Sequence, residues 1–349
     1  MIYKHYLFRQ ISKLFFFFLS ATVFLLIIFD LSARANLFRQ PHMHFGIILL
    51  YELTQLMKLL NHLVCFVLLL CTVTLCTQLT RTRELIVLTT GGISKRSVLH
   101  PLLAFAVLVM TALYFNGQWI APKANAWNHN FRSTYLKQQT APTVSMLSLP
   151  QDDSELIYAN YNAKQNTLED VYWLKNSSTI WHMKYLDLKN HQGYFVDKLT
   201  KTNKGWKRVT SVASTESLPI SLDNKALKSK ILPLTSQSLS QLSHQTSLSV
   251  HKVPDRIAKT TAYFLQQLTL PLACLFAVLI PAPFCLHFSR QMPVYMLFFW
   301  TLLGGICYLV IVNTSSILGG SQLLAPVVAI CVPPALLTIF SLWNYARLQ

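Results

Sequence analysis

The chain has 349 residues, of which 52% are hydrophobic and only 12% are charged, and its formal net charge is +17 at pH 7. This balance excludes an ordinary water-soluble globular protein and predicts a membrane protein. The basic excess suits anionic lipid headgroups or phosphorylated lipids better than nucleic acid, because so much of the chain is apolar enough for a bilayer.

Three apolar segments precede a polar middle region, and a membrane helix needs roughly 20 mainly apolar residues. The first segment, residues 14–29, is slightly short, whereas the second and third, bounded by Lys58 to Arg81 and by Arg96 to Lys123, are long enough. The N-terminus also resembles a secretory signal with an A-x-A site at residues 33–35. We favour a membrane helix there, because the apolar run is longer than a signal core and Asp30 lies just before the site.

The segment RTRELIVLTTGGISKR, residues 81–96, joins the second and third apolar segments. Its Glu84 is conspicuous, because only Asp30 and Glu52 are also acidic outside the middle region. From the residues alone, Glu84 is neutralised by Arg81 at i,i+3 or caps a short helix in a tight hairpin. The glycines do not form a phosphate-binding loop, and G-x-x-x-x-G-K-[ST] is absent from the chain, so ATP hydrolysis by that mechanism is not expected.

The middle region, residues 122–257, is predicted to be mainly β, with residues 124–139 able to continue the third helix and residues 235–249 left as a connector of uncertain structure. Aromatic and β-branched runs alternate with polar turn clusters, which favours an antiparallel sandwich or roll. The predicted strands are residues 155–161, 168–175, 179–186, 193–200 and 206–213.

Three further membrane helices are predicted after the middle region. The fourth covers about residues 264–286, with Pro271 and Pro281 expected to kink it. The uncharged stretch that follows Arg290 is too long for one span, and NTSSILGGSQ, residues 313–322, is predicted to divide it into a fifth and a sixth helix. The fold class is therefore a helical membrane protein with six spans, three on each side of a β insert.

Orientation follows from the Lys and Arg residues of the short loops and ends. Their distribution places both termini and residues 81–96 in the cytoplasm and the middle region outside it. The predicted domains are residues 1–121 and 258–349 in the membrane and residues 122–257 outside the cytoplasm.

No arrangement of residues predicts an enzyme, a cofactor or a metal site. The patterns H-E-x-x-H and G-x-S-x-G are absent; His42 and His44 lack further metal ligands nearby, and the acidic cluster at residues 152–155 lacks the rest of a calcium loop. All seven cysteines fall in apolar segments and are expected to be small buried hydrophobes.

Arg34 and Arg39 follow the first helix, where they would bind the phosphate of a lipid substrate or snorkel to ordinary anionic headgroups.

Several motifs, taken in order, resemble the lipopolysaccharide export permeases of the LptF/LptG family. TRTRELIVLTTGGISKRSVLHPLL, residues 80–103, is similar to the family segment E-[LM]-x-x-x-x-x-x-G-x-[ST], here running from Glu84 through Gly92. The other similar features are Y-x-x-R at residues 6–9, Asp30, W-x-A-P closing the third helix at residues 119–122, and L-x-A-P-x-x-A at residues 323–329 with Pro333.

The resemblance implies half of a transporter in the inner membrane, with six spans and a periplasmic β-jellyroll. It would pair with a homologous permease around a cavity for lipopolysaccharide, be driven by a separate cytoplasmic ATPase dimer, and pass the lipid to a periplasmic bridge of similar fold. A coupling helix at about residues 81–92 would dock Glu84 into the ATPase, with Arg83 supporting that contact and Gly92 ending the helix.

The resemblance also bears on the substrate site and on the branch of the family. Arg34 matches a basic position that contacts lipid phosphates in the LptG branch, whereas Ile27 stands where that branch has a basic residue. Residues 117–132 and 339–348 resemble the LptG branch and favour an LptG-like member. The alternative from another class is a membrane-anchored envelope scaffold whose β domain binds a periplasmic partner; a four-helix export permease and a membrane enzyme fit less well.

Overall fold

Long apolar stretches fold as helices here, as expected where backbone polar groups must be satisfied within the segment itself. The computed structural model describes residues 2–33, 45–135, 145–149, 154–162, 167–176, 179–187, 190, 192–202, 205–214, 234–246, 255–288 and 293–347. The chain divides into a helical unit, Met1–Phe131 with Leu234–Gln349, and a sheet unit, Arg132–Pro233.

The α-helices in these ranges are accompanied by one short π turn and two short 3₁₀ turns. They are α1 (Ile2–Ala33), α2 (Phe45–Arg81), α3 (Glu84–Thr90), α4 (Lys95–Phe115), α5 (Ala121–Tyr135), α6 (Leu239–Gln245), α7 (Asp255–Thr269), α8 (Ala273–Leu279), α9 (Pro281–Phe288), α10 (Val294–Gly320) and α11 (Pro326–Arg347).

Among the described residues, six helical stretches are long and apolar enough to cross a membrane, three before the sheet and three after it. This confirms the predicted three-plus-three arrangement of a multi-pass membrane protein. The six stretches are Ile2–Ala33, Ile48–Arg81, Lys95–Asn128, Ile257–Leu286, Val294–Gly320 and Pro326–Ala346.

The first helix is longer than predicted. It begins at Ile2 and ends at Ala33, so it includes the basic residues Lys4, Arg9 and Lys13, which lie before the apolar run from which the helix is predicted. Lys and Arg are good helix formers, and their long side chains extend from the end of an apolar helix toward water. The charges therefore lie on the first turns of the helix instead of marking its start.

Helix α2 lies at the centre of the helical unit. It packs against α1, α8, α9 and α10, and Leu68, Cys71 and Leu75 are fully buried in the core that results. In the most apolar 18-residue stretch of α2, 67% of the residues are buried. In the corresponding stretches of α1 and α10, only 6% are buried. The first and fifth spans are therefore peripheral in this chain.

The fourth span is interrupted at both predicted prolines. Pro271 lies in a 3₁₀ turn, Leu270–Leu272, between α7 and α8, and Pro281 begins α9 directly after Ile280. Proline lacks the N–H that the preceding turn needs and clashes with its carbonyl, so each one breaks the regular helix. The kinks predicted from the sequence are confirmed.

The predicted division between the fifth and sixth helices is wrong in position. Helix α10 continues through Asn313 and Ser316 and ends only at Gly320. These polar residues do not end the helix, because Gln266 of α7 donates to Asn313 Oδ1 at 2.9 Å and accepts from the Ser316 hydroxyl at 2.8 Å. The break falls at residues 321–325, before Pro326 begins α11.

The W-x-A-P motif does not close the third helix, which also corrects the prediction. A single π turn, Asn116–Ile120, follows α4, and α5 then continues to Tyr135 with Pro122 as its second residue. Proline is tolerated in the first turn of a helix, where its missing N–H would have no helical partner. Part of the helix predicted after residue 124 is thus present, although residues 136–139 lie outside the described ranges.

The described residues of the sheet unit form six antiparallel strands in sequential order, which confirms an antiparallel β insert. The predicted runs correspond to β2 through β6; β1 has the sequence SMLSL, which lacks the aromatic and β-branched residues that indicate a strand. One face of the sheet forms a small core that includes Leu168, Val171, Met183 and Val196. The strands are β1 (Ser145–Leu149), β2 (Ser154–Asn162), β3 (Thr167–Asn176), β4 (Thr179–Asp187), β5 (Gln192–Thr202) and β6 (Gly205–Ser214).

The connector at residues 235–249, for which the sequence predicts no element, contains helix α6, preceded by the 3₁₀ turn Leu234–Ser236. Ser238 accepts from the backbone N–H of Gln241, and the Gln241 side chain accepts from the backbone N–H of Ser238. This reciprocal capping box satisfies two N–H groups that would otherwise lack partners at the start of the helix.

Candidate functional site

The hairpin segment, residues 81–96, is built around the short helix α3. Helix α2 ends at Arg81, and Arg83 takes a left-handed conformation with φ 63° immediately before Glu84. A positive φ is uncommon for a residue with a Cβ. The left-handed residue separates the two helices and leaves Glu84 in the first turn of α3.

The end of α3 is defined by two glycines. Gly91 donates to Val87 O at 3.0 Å, Gly92 to Thr89 O at 3.1 Å, and Ile93 to Leu88 O at 3.0 Å. The last two bonds form a Schellman motif, in which Gly92 supplies the left-handed residue with φ 81°. A side chain at Gly92 would be strained by that φ and not by crowding, because nothing lies within 4 Å of an added Cβ.

Apolar side chains anchor α3 on one side only. Leu85 is buried, and Leu88 and Ile93 pack against the same core as α1, α2 and α4. Ile93 follows the left-handed glycine and Leu88 precedes it by four residues, which is the pair that usually makes a hydrophobic contact in a Schellman motif. These contacts hold a helix that is too short to be stable alone.

The opposite side of α3 is exposed. Arg83, Val87 and Thr90 are exposed and follow one another at helical spacing, and the side chain of Val87 is 69% accessible. Glu84 lies at the edge of this side and is half-buried. The exposed side thus presents a small apolar centre with a carboxylate and a guanidinium next to it.

Two hydroxyl groups position the Glu84 carboxylate. The Tyr6 hydroxyl of α1 donates to Oε2 at 3.4 Å, and the Thr82 hydroxyl donates to Oε1 at 3.1 Å. Among the described side chains, neither Arg81 nor Arg83 forms an ion pair with Glu84, so the expected neutralisation by Arg81 is wrong. The carboxylate is instead oriented by neutral donors and keeps its charge available at the surface.

The start of α4 ties the hairpin segment to other helices. Ser94 caps α4 by accepting from Ser97 N, and the Ser97 hydroxyl lies 2.6 Å from the Tyr3 hydroxyl of α1. Arg96 donates to Ala346 O and lies over the Tyr345 ring at 5.9 Å. The segment is therefore connected by polar contacts to α1 and to the last turns of α11.

The structure brings three predicted site residues together and does not describe the other two. Arg83, Glu84 and Gly92 share the hairpin segment, whereas Arg34 and Arg39 lie outside the described residues. Tyr6 was noticed in the sequence only as part of Y-x-x-R. Its contact with Glu84 was missed, because a pair 78 residues apart on two helices leaves no local pattern.

No metal site appears among the described residues, where no three His, Cys, Asp or Glu side chains cluster. His42, His44 and the acids at positions 152 and 153 lie outside them. All seven cysteines are free, including Cys65 and Cys274, whose sulfur atoms are 3.6 Å apart. The described residues therefore offer a short helix with one exposed side and no cluster of three potential metal ligands.

Comparison with protein families assigns the chain over nearly its whole length. Residues 5–347 match the family model described as lipopolysaccharide export system permease LptF/LptG. A comparison with curated proteins gave no match. The matched region contains the hairpin segment, the described strands and the six apolar spans of the described residues, apart from the first three residues of the first span. The chain belongs to the lipopolysaccharide export permease family LptF/LptG.

Proposed function

We infer that this permease forms half of an inner-membrane exporter and that its hairpin segment docks on a separate cytoplasmic ATPase dimer. The observation that carries the inference is the exposed side of α3. Val87 and Glu84 are neighbours there, while Leu85 on the opposite side of the helix is buried. Protein contact surfaces commonly have an apolar centre and a polar or charged rim. The chain is thus a transporter component, and ATP hydrolysis takes place in the partner.

Within this proposal, Glu84 is the docking carboxylate, Arg83 supports it, and Gly92 sets the end of the docking helix. The hydroxyl groups of Tyr6 and Thr82 keep the carboxylate oriented without neutralising it. Because Tyr6 belongs to α1, a push on α3 acts directly on the first membrane span.

A homologous permease is the second half of the exporter. The peripheral position of α1 and α10 supports this part of the proposal, because both carry large exposed apolar side chains, such as Phe24 and Phe29 on α1 and Tyr295 and Phe299 on α10. The two helices would border the opening through which lipopolysaccharide enters the cavity between the halves. ATP-driven closure would then narrow that cavity and expel the lipid.

The sheet unit lies in the periplasm and continues the route of the lipid. Its sequential antiparallel strands give a surface on which a jellyroll-type bridge protein would receive the lipid. Arg34 and Arg39 follow α1 on the same side of the membrane and bind headgroup phosphates. The motifs at residues 117–132 and 339–348 favour the LptG-like branch.

The direct experiment is purification of the detergent-solubilised chain from its own cells, followed by identification of bound proteins and lipids. We expect an ATPase dimer, a second permease of the same family and lipopolysaccharide. A preparation that holds a periplasmic partner but neither an ATPase nor lipopolysaccharide would support the envelope scaffold instead.

A further inference from the structure

An apolar pocket lies within the helical unit, between α2, α8, α9, α10 and α11. It has a volume of about 580 Å³, which is within the range of ligand-binding cavities. Its walls are formed by side chains such as Phe66, Leu69, Phe276, Phe284 and Leu337. All of these helices belong to stretches that can span the membrane, so the pocket is at membrane depth.

The lining has few polar side chains, and two of them form hydrogen bonds within their own helices. The Thr301 hydroxyl donates to Leu297 O of its own helix at 2.8 Å, and Cys65 Sγ donates to Asn61 O at 3.1 Å. Among the described residues, the Tyr308 hydroxyl has no hydrogen-bond partner. The Tyr308 ring packs edge-on against Phe276, with 6.0 Å between ring centroids. The surface open to an occupant is therefore essentially hydrocarbon.

Two neighbouring glycines of α10 account for the space. A Cβ on Gly305 would lie 3.2 Å from Leu69 Cδ1, so this glycine allows α10 to approach α2 closely. A Cβ on Gly304 would meet nothing within 4 Å, although Gly304 lines the pocket. Gly305 therefore allows α10 and α2 to pack closely, and Gly304 leaves open space beside that contact.

The pocket is elongated along the helix axis. Its lining on α10 runs from Leu297 to Leu309, which corresponds to roughly 18 Å at 1.5 Å per residue. This is a little over half of the ~30 Å hydrocarbon core of a bilayer. Because successive spans alternate in direction, the N-terminal half of α10 lies in the leaflet on the side of the hairpin segment.

We propose that this pocket binds one acyl chain of a glycerophospholipid from the leaflet on the hairpin side. The apolar walls suit a hydrocarbon chain, the length matches the depth of one leaflet, and the open space at Gly304 admits the chain between the helices. The elements around the pocket all belong to a single permease chain. The bound lipid therefore fills a gap within that chain, and the proposal does not depend on the exporter function.

The test uses the full chain in proteoliposomes that contain phosphatidylethanolamine with a diazirine in the middle of one acyl chain. After irradiation, we expect labelled peptides from residues 297–309 and 273–284. The substitution Gly304→Phe fills the pocket and should lower this labelling roughly tenfold, since overpacking an occupied site is costly. Ile306→Phe is the matched control, because Ile306 is half exposed on the same helix and does not line the pocket.

A second variant separates a hydrocarbon occupant from a polar ligand. Tyr308→Phe removes the unpartnered hydroxyl and should leave the labelling unchanged, because an acyl chain makes no use of that group. Loss of labelling in Tyr308→Phe, or equal labelling in Gly304→Phe and Ile306→Phe, would overturn the proposal. So would labelling of these peptides by an acyl-diazirine lipopolysaccharide in preference to the phospholipid. Thermal unfolding of each variant shows that the helical unit is folded.

Discussion

The Tyr6 hydroxyl donates to Glu84 Oε2 at 3.4 Å, so the first turns of α1 contact the first turn of α3, 78 residues later in the chain. Thr82 donates to the other carboxylate oxygen at 3.1 Å. One end of the first membrane span thus helps to orient the carboxylate that we propose docks on the ATPase. The contact gives a direct route by which movement of α3 reaches α1.

Tyr6→Phe is expected to lower the amount of lipid released per ATP hydrolysed more than it weakens binding of the ATPase. The substitution removes one long, exposed hydrogen bond, whose net contribution is on the order of 0.5–1.5 kcal/mol, and leaves the carboxylate itself in place. The measurement is lipid released per ATP hydrolysed in proteoliposomes that hold the complete exporter. Tyr3→Phe is the control, because it removes a different hydroxyl of α1, the one next to Ser97. Unchanged coupling in Tyr6→Phe would show that this contact transmits nothing.

Gly92 is expected to tolerate asparagine much better than valine. The left-handed conformation at φ 81° costs an ordinary L-residue roughly 1–2 kcal/mol, and asparagine adopts it more readily. Gly92→Val should therefore speed amide hydrogen exchange at residues 88–94, and Gly92→Asn should do so much less. Gly46→Val serves as the control, since an added Cβ there meets nothing within 4 Å and the backbone φ is not positive. Equal protection in both Gly92 variants would contradict the Schellman geometry.

Gln266 is expected to stabilise the packing of α7 against α10. It donates to Asn313 Oδ1 at 2.9 Å and accepts from the Ser316 hydroxyl at 2.8 Å. Interhelical hydrogen bonds in membranes contribute about 0.6 kcal/mol on average and up to about 2 kcal/mol. A double-mutant cycle of Gln266→Leu with Asn313→Leu should return a coupling free energy of unfolding in that range. Thr111→Val, which removes a hydroxyl bonded within its own helix, should be nearly neutral. A coupling of zero would show that the two side chains act independently.

Arg34 and Arg39 are expected to bind the phosphate of a lipid headgroup through their guanidinium groups. The double substitution to alanine should lower photocrosslinking of lipopolysaccharide next to the end of α1. The double substitution to lysine keeps the charge but not the bidentate geometry, so it should restore the crosslinking only in part. Equal crosslinking in the alanine variant would favour simple snorkelling to anionic headgroups.

The number of spans and the β insert were predictable, because each span and each strand is indicated by the residues of its own segment. A run of apolar residues indicates a membrane helix, and Pro271 and Pro281 break a helix for local reasons. The end of α10 was not predictable in the same way. Asn313 and Ser316 suggest a loop when read alone, whereas in the structure Gln266, on another helix, forms hydrogen bonds with both.

The same distinction applies to the hairpin segment. Gly92 was singled out through the resemblance to the permease family, in which a glycine ends the coupling helix, and the structure places the end of α3 there. Of the two local interpretations of Glu84, a pair with Arg81 at helical spacing is wrong, because the left-handed Arg83 interrupts the helix between them; a place at the start of a short helix agrees with its position in the first turn of α3. A backbone conformation that only the fold enforces therefore decides which group contacts the carboxylate.

The central claim, that Glu84 couples this permease to an ATPase, is tested most directly by co-purification and coupled turnover of Glu84→Ala. Glu84→Gln keeps the acceptor for Tyr6 and removes the charge, and Glu169→Ala removes a carboxylate from the sheet unit instead. We predict that Glu84→Ala and Glu84→Gln both lose ATPase association and lipid release, while Glu169→Ala retains both and all three variants remain folded. Unchanged ATPase association and lipid release in Glu84→Ala would contradict the claim.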